Sequence, residues 1–139
     1  MDRTARILIA EDEKGDVALM KVVIEELGLG EQTAVVRDGA EALDYLLRRG
    51  RYETRAERSP DLILLDLKLP KVSGLEVLRE IRAKDELRAI RVVVFSSSVD
   101  EKDRVASLAC GADEYVVKPI QFEEFQSVIT RVINTYLAG

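Results

Sequence analysis

The chain has 139 residues, of which 26 are acidic and 21 basic, so its formal charge is −5. That length fits one domain. The 47% hydrophobic and 34% charged residues can supply a core and a polar exterior, which argues against disorder. The excess of acidic residues argues against nucleic acid as a partner. One cysteine and no histidine exclude an internal disulfide, a Cys/His metal site and a Ser/His or Cys/His catalytic pair, so carboxylates are the candidate metal ligands.

Five short apolar runs alternate with longer segments of helical spacing. The runs cover residues 5–10, 33–36, 61–65, 91–95 and 114–117, and three of them are almost continuously apolar. Strands of that kind are buried on both faces, as in a parallel sheet covered by helices. The sequence therefore predicts an α/β fold with a doubly wound, five-stranded parallel sheet in a (βα)5 arrangement.

The intervening segments carry signals for helix starts and ends. The first helix repeats apolar residues at helical spacing and is expected to end at Gly28, a residue that readily adopts left-handed backbone. Asp38 with Glu41, and Ser73 with Glu76, have the spacing at which side chains cap a first helical turn. Two further helices are therefore expected to begin at these points.

The fourth and fifth helices differ in their apolar stripes. The fourth, near residues 101–109, has only Val105 and Leu108 as bulky apolar residues, so it is expected to be the loosest helix. The charged segment 51–59 is longer than most connections in such folds and is predicted to be an exposed loop. The last helix carries a broad stripe formed by Phe122, Phe125, Val128, Ile129, Val132, Ile133 and Tyr136.

The apolar runs are too short to cross a membrane. None exceeds four residues, whereas a helical span needs about 20. Residues 1–6 lead into the first strand without a long apolar segment or a small-residue cleavage site, so no signal peptide is predicted. The expected location is the cytoplasm.

Polar residues follow four of the five predicted strands. They are Glu11-Asp12-Glu13 after the first strand, Asp66 after the third, Ser96-Ser97-Ser98 after the fourth and Lys118-Pro119 after the fifth. In an open parallel sheet these strand ends meet at one edge, where ligands bind. Carboxylates gathered there repel one another unless a cation lies among them, and oxygen ligands suit Mg²⁺.

Each residue also has an ordinary interpretation when taken alone. Asp12 could cap the first helix, Asp66 could accept hydrogen bonds from local loop amides, and Lys118 could be a solvated surface lysine. The serines could simply close a strand. Their convergence on one edge favours a functional site.

This set of residues resembles the receiver domain of two-component response regulators, over essentially the whole chain. Ser96 and Lys118 follow Asp66 by 30 and 52 residues, the separations usual for that family. Further matches are Leu69-Pro70, Ser73-Gly74, Gly111-Ala112-Asp113 and Lys118-Pro119. The resemblance implies a flavodoxin-like receiver fold, with residues 1–139 forming a single receiver domain without an output domain.

Within the family, the sequence looks most similar to stand-alone regulators paired with phytochrome-type histidine kinases. The long loop before Pro60, the Leu69-Pro70-Lys71 turn and the run of three serines from Ser96 suggest this narrower similarity. It implies a sensor histidine kinase as one partner and a downstream protein as another. The protein would be a signalling phosphoacceptor, not an enzyme with a separate substrate.

The resemblance also assigns the nucleophile and the metal ligands. Asp66 would take a phosphoryl group from a partner's phosphohistidine, while Asp12, Asp66 and the backbone carbonyl of Lys68 bind Mg²⁺ directly and Glu11 acts partly through water. Glu11 replaces the Asp that is frequent at its position but keeps a carboxylate. The side chain of Lys68 could either shield the phosphoryl group or point away from it.

The remaining implied roles concern stabilisation and switching. Lys118, the Ser96 hydroxyl and the Ser97 backbone amide would contact phosphoryl oxygens. Movement of Ser96 would then admit the ring of Tyr115, and this pair would convert phosphorylation into a changed surface. Ser96 stands where many receivers have Thr. The ordinary alternative is that Tyr115 only packs at the sheet edge.

Other function classes fit less well. A hydrolase of the haloacid dehalogenase type needs a second Asp two residues after the nucleophile, where this chain has Lys68. A flavin-binding protein needs a phosphate loop after the first strand, where Glu11, Asp12 and Glu13 would repel phosphate. A receiver-like scaffold that is never phosphorylated stays open as an alternative.

The broad stripe of the last helix predicts a contact surface. A helix lying on one face of a sheet needs roughly a 100° apolar arc, and this stripe is wider. By resemblance to phytochrome-associated regulators, which often dimerise through this face of the C-terminal helix, we expect a homodimer. The alternative is that the loop 51–59 folds over the stripe.

Overall fold

The computed structural model describes residues 5–55 and 59–137. The strands are β1 (Ile7–Ala10), β2 (Thr33–Val36), β3 (Leu62–Leu65), β4 (Arg91–Ser96) and β5 (Glu114–Val117). The helices are α1 (Lys14–Glu26), α2 (Gly39–Leu47), α3 (Gly74–Ala83), α4 (Glu101–Ala109) and α5 (Phe122–Tyr136). All strand pairs are parallel, in the order β2-β1-β3-β4-β5, so the predicted doubly wound (βα)5 fold is confirmed.

Alternation along the strands builds two apolar cores, one on each face of the sheet. The first contains Leu8, Ala10, Ile63, Leu65, Val92 and Val94 with residues of α2 and α3. The second contains Ile7, Ile9, Leu62, Leu64, Val93 and Phe95 with residues of α1 and α5. Burial on both faces explains why the sequence shows continuous apolar runs here. The cores hold the strand ends, and hence the polar residues beyond them, in fixed relative positions.

The bulky apolar residues of α4 do not form its buried face. Val105 and Leu108 are 53% and 39% exposed, and the buried residue of this helix is Ser107. The Ser107 hydroxyl donates to the Asp103 carbonyl at 2.7 Å, so it can be buried without losing a hydrogen bond. A small residue faces the sheet, and the bulky apolar ones face outward.

The broad apolar stripe on α5 is mostly covered and partly exposed. Phe125, Ile129, Val132 and Ile133 are buried against the second core, whereas Phe122 is 43% exposed. The uncovered apolar side chains of this side of the molecule extend over α4, β5 and the start of α5. We call Val99, Val105, Leu108, Val117, Ile120 and Phe122 the C-terminal face.

The predicted loop 51–59 packs on α2, not on α5, over its described part. Tyr52 donates its hydroxyl to Glu41 at 2.6 Å, and Arg55 donates to the Tyr45 carbonyl at 2.8 Å while lying over the Tyr45 ring. Residues 56–58 lie outside the described residues. Of the helices described here, none is long and apolar enough to span a membrane.

Candidate functional site

Parallel strand ends bring three ionisable side chains to one edge of the sheet. Glu11 follows β1, Asp66 follows β3 and Lys118 follows β5. Backbone bonds extend the ladder beyond the strands: the Asp66 amide donates to the Ala10 carbonyl at 3.0 Å, and the Lys118 amide donates to the Ser96 carbonyl at 2.8 Å. The backbone of these residues is therefore fixed by the sheet itself.

The Lys118 ammonium lies among three carboxylates. Its Nζ is 2.7 Å from Glu11 Oε1, 2.8 Å from Asp16 Oδ2 and 3.7 Å from Asp66 Oδ2. The side chains of Lys118 and Asp66 are each 10% exposed. Ion pairs this shielded from water are screened little by salt. We call Glu11, Asp16, Asp66 and Lys118 the acid–lysine cluster.

Burial and charge shift the pKa values of two members of this cluster. Burial, together with the negative charge of Asp66, raises the pKa of Glu11 to about 7, although hydrogen bonds from Lys118 and the Glu13 amide act in the opposite direction. Burial lowers the pKa of Lys118, but its hydrogen bonds to Asp16 and Glu11 and the charge of Asp66 raise it more, for a net increase. At Glu11 the effect of burial therefore outweighs the hydrogen bond from Lys118.

Asp12, predicted as a direct metal ligand, is exposed beside this cluster. The side chain that caps α1 is Glu13, whose Oε1 accepts the Gly15 amide at 2.8 Å, so the alternative interpretation of Asp12 as the helix cap is wrong. The Glu13 amide in turn donates to Glu11 Oε2 at 3.1 Å. The exposed carboxylate of Asp12 is therefore not used as the helix cap.

The donor chemistry of the edge suits a hard divalent cation. Glu11, Asp12 and Asp66 offer carboxylate oxygens only, and the pKa of Glu11 is raised mainly by burial and further by the negative charge of Asp66. Within residues 5–55 and 59–137, no three acidic or cysteine side chains lie close enough together to form a ready-made metal cluster. In this arrangement the ammonium of Lys118 is the cation beside Glu11 and Asp66.

A tight turn follows Asp66 at the end of β3. The Lys68 amide lies 3.4 Å from Asp66 Oδ1, at the long limit of a hydrogen bond, so local amides hold this carboxylate only weakly. The turn closes where the Gly74 amide donates to the Leu67 carbonyl at 2.9 Å. The Lys68 side chain is exposed.

A hydrogen-bond chain joins the two residues of the predicted switch. The Ser98 amide donates to Ser96 Oγ at 3.1 Å, and the Tyr115 hydroxyl donates to the Ser98 carbonyl at 2.9 Å. Ser96 is fully buried, Tyr115 is half-buried and Ser97 is exposed. The Ser98 hydroxyl also donates to Asp103 in α4 at 2.5 Å. Ser98 therefore links Ser96, Tyr115 and α4.

Sequence reasoning missed two of these contributors. Asp16 lies within a helix, so a search of the residues that follow the predicted strands does not find it. Ser98 was considered only as part of a polar run. Its bonds on both sides depend on the backbone path of the loop, for which the sequence carries no clear signal.

Comparisons with known proteins agree with the fold. Residues 7–130 match the response regulator receiver domain family. Response regulator Rcp1 of Synechocystis sp. is 34% identical over 94% of this chain and 88% of its own. The Mn²⁺-bound form of Rcp1 superimposes with a TM-score of 0.84 at 34% identity, covering 95% of this chain and 94% of that one.

Two further solved structures are similar. The phosphorylated cyanobacterial phytochrome response regulator RcpA has a TM-score of 0.89 and 34% identity, covering 97% of this chain and 95% of that one. The bacteriophytochrome response regulator RtBRR is 48% identical with a TM-score of 0.77, covering 94% of this chain and 77% of that one. The similarity thus extends to regulators of phytochrome systems.

Proposed function

The chain belongs to the response regulator receiver domain family, and from this premise we propose that Asp66 accepts a phosphoryl group from the phosphohistidine of a sensor histidine kinase. A carboxylate oxygen of Asp66 attacks phosphorus, the new P–O bond forms, and the N–P bond breaks with its electron pair returning to the kinase imidazole. The observation that carries this proposal is the buried Asp66 carboxylate 3.7 Å from the Lys118 ammonium. Mass measurement after incubation with a small phosphodonor tests it.

The other groups of the site act by positioning and charge. Lys118 is proposed to meet the charge that grows on the phosphoryl oxygens, with the Ser96 hydroxyl and the Ser97 amide as further donors. The phosphoryl acceptor is a residue of the protein itself, and phosphorylation changes the state of the protein. We therefore propose that the protein is a signalling molecule that dephosphorylates itself slowly and does not turn over a separate substrate.

We propose that Mg²⁺ is the resident cation, held by Asp12, Asp66 and the Lys68 carbonyl with help from Glu11. The all-oxygen donor set supports this choice, and Rcp1, a relative, has been crystallised with Mn²⁺. The bound ion would offset negative charge on the phosphoryl oxygens. Glu11, Asp12 and Asp66 would then repel one another less.

Magnesium is expected to stabilise the protein by mass action. At about ten times its dissociation constant, Mg²⁺ should add roughly 1.4 kcal/mol of stability and raise the Tm by about 4 °C. Asp12→Ala should lose most of this response, and without metal it should be at least as stable as the wild type because a repulsive charge is gone. Calorimetric melting with increasing Mg²⁺ measures both effects.

Glu53→Ala is the control for removal of an acid, because Glu53 is exposed beyond the far end of α2. It should keep the full Mg²⁺ response. An Asp12→Ala protein that responds to Mg²⁺ as strongly as the wild type would contradict the assignment of Asp12.

The proposed output is a rearrangement of the loop between β4 and α4. When the Ser96 hydroxyl turns toward a phosphoryl oxygen, it gives up the bond from the Ser98 amide. The Ser98 carbonyl and hydroxyl hold Tyr115 and Asp103, so movement of the loop also changes their contacts. Phosphorylation would thereby shift the population of two arrangements of the loop and α4.

We propose a phytochrome-type histidine kinase as the upstream partner, on the similarity to RcpA, Rcp1 and RtBRR. Residues 1–139 would act as a single receiver domain in the cytoplasm, passing the signal to a downstream protein. Phosphotransfer from candidate kinases, compared by initial rate, tests the upstream pairing.

We further propose that two copies associate through the C-terminal face. Its six exposed apolar side chains lie on α4, β5, the start of α5 and the adjoining loops, next to the proposed Ser96–Tyr115 switch. Large apolar side chains exposed on neighbouring elements often mark a contact site. A two-fold axis would pair it with itself.

Light scattering at micromolar concentration should report a dimer. The measurement is made both with and without phosphodonor. Phe122→Asp should weaken association at least about tenfold, because a carboxylate would be buried in an apolar interface. Val22→Asp is the matched control, since Val22 is 45% exposed on α1, outside this face. A wild type that stays monomeric in both states refutes the dimer.

A further inference from the structure

Asp16 is a member of the acid–lysine cluster that comes from a helix, not from a strand end. It lies in the first turn of α1, and its Oδ2 accepts a hydrogen bond from Lys118 Nζ at 2.8 Å, across 102 positions of sequence. Its side chain is 25% exposed, so water only partly screens the contact. An acidic side chain in a first turn also interacts favourably with the helix dipole. That interaction does not explain why Asp16 contacts a lysine.

The ammonium is bonded to acids other than the proposed acceptor. Its distances to Glu11 and Asp16, 2.7 and 2.8 Å, are those of charge-assisted hydrogen bonds, whereas 3.7 Å to Asp66 is too long for one. To contact a phosphoryl oxygen on Asp66 at full strength, Lys118 must therefore shift or loosen its existing bonds. Asp16 is the more exposed of its two bonded partners.

We propose that Asp16 is a positioning residue that holds the Lys118 ammonium away from Asp66 and competes with the phosphoryl group for it. This inference rests on the proposed phosphorylation of Asp66. Without phosphate, Asp16 stabilises the resting arrangement of Lys118. When a phosphoryl group is present, its extra negative charge must outweigh the attraction of Asp16. Asp16 thereby sets how strongly phosphorylation recruits Lys118.

Binding of beryllofluoride, a stable mimic of an aspartyl phosphate, tests the proposal at equilibrium. In the presence of Mg²⁺, ¹⁹F NMR titration should show about fivefold tighter binding to Asp16→Asn than to the wild type, since a neutral amide competes less for Lys118. Glu13→Gln is the matched control. It removes one negative charge from the same helix start while keeping an oxygen for the Gly15 amide, and its affinity should stay within about twofold of the wild type.

A double-mutant cycle identifies the route of the effect. If Asp16 acts through the ammonium, Asp16→Asn should change beryllofluoride affinity by less than about twofold in a Lys118→Gln background. Equal tightening with and without Lys118 would show direct repulsion of the anion by Asp16 and overturn the proposal. Unchanged or weaker binding to Asp16→Asn alone would also overturn it. A wild type that binds no beryllofluoride would instead reject the phosphoacceptor function itself.

Discussion

Incubated with acetyl phosphate and Mg²⁺, the protein should gain the mass of one phosphoryl group, and Asp66→Asn should gain none. The amide of Asn keeps the size of the side chain but removes the nucleophilic carboxylate. Asp66 is a buried carboxylate 3.7 Å from the Lys118 ammonium, at the end of β3, the middle strand of the sheet. Intact-protein mass spectrometry gives the stoichiometry, and peptide mapping gives the position.

Asp16→Asn is the matched control for this experiment, because it removes a carboxylate from the same acid–lysine cluster while leaving Asp66 in place. It should still be labelled. A chelator should abolish labelling of the wild type, because the proposed cation offsets negative charge on the phosphoryl oxygens. Wild-type labelling of Asp66→Asn, or labelling that a chelator leaves undiminished, would contradict the assignment.

The parts of the site that sequence predicts well are those fixed by backbone topology. Continuous apolar runs mark strands buried on both faces, and the parallel arrangement brings the residue after each strand to one edge. Glu11, Asp66 and Lys118 are found together for this reason alone. Predicting their proximity required no knowledge of side-chain conformation.

The contacts that sequence could not predict depend on how each helix is rotated and on rotamers. Asp16 reaches Lys118 only because α1 packs with one particular side toward the sheet edge. On α4 the buried side chain is that of Ser107, whereas the bulky apolar Val105 and Leu108 are exposed. Four apolar residues of α5 are buried in the second core, so the exposed part of the stripe is narrower than the sequence pattern alone indicates.

The turn that follows Asp66 packs closely against two glycines. The sequence alone does not show that a larger residue at either position would clash with the backbone of the turn. Gly74, the first residue of α3, lies so close to the turn that an added Cβ would be 2.1 Å from the Asp66 carbonyl oxygen and 2.7 Å from Leu67 Cα. Gly39, the first residue of α2, would place a Cβ 1.8 Å from the Val72 carbonyl oxygen. The chain from Asp66 to Gly74 is thus packed between the starts of two helices.

Gly74→Ala should destabilise the protein by about 3 kcal/mol and slow phosphorylation of Asp66. The atoms in the way belong to the backbone, so relief requires displacement of the acceptor residue or of α3, and overpacking of this kind typically costs about 1–3 kcal/mol or more. Urea unfolding gives the stability change, and the initial rate of acetyl phosphate labelling gives the effect on the site. Gly15→Ala is the control, because its nearest neighbour is the flexible Glu13 side chain at 3.0 Å and it should shift stability by less than about 1 kcal/mol. If Gly74→Ala unfolds at the wild-type urea midpoint, the turn tolerates the methyl group, and close packing at Gly74 does not hold Asp66 in place.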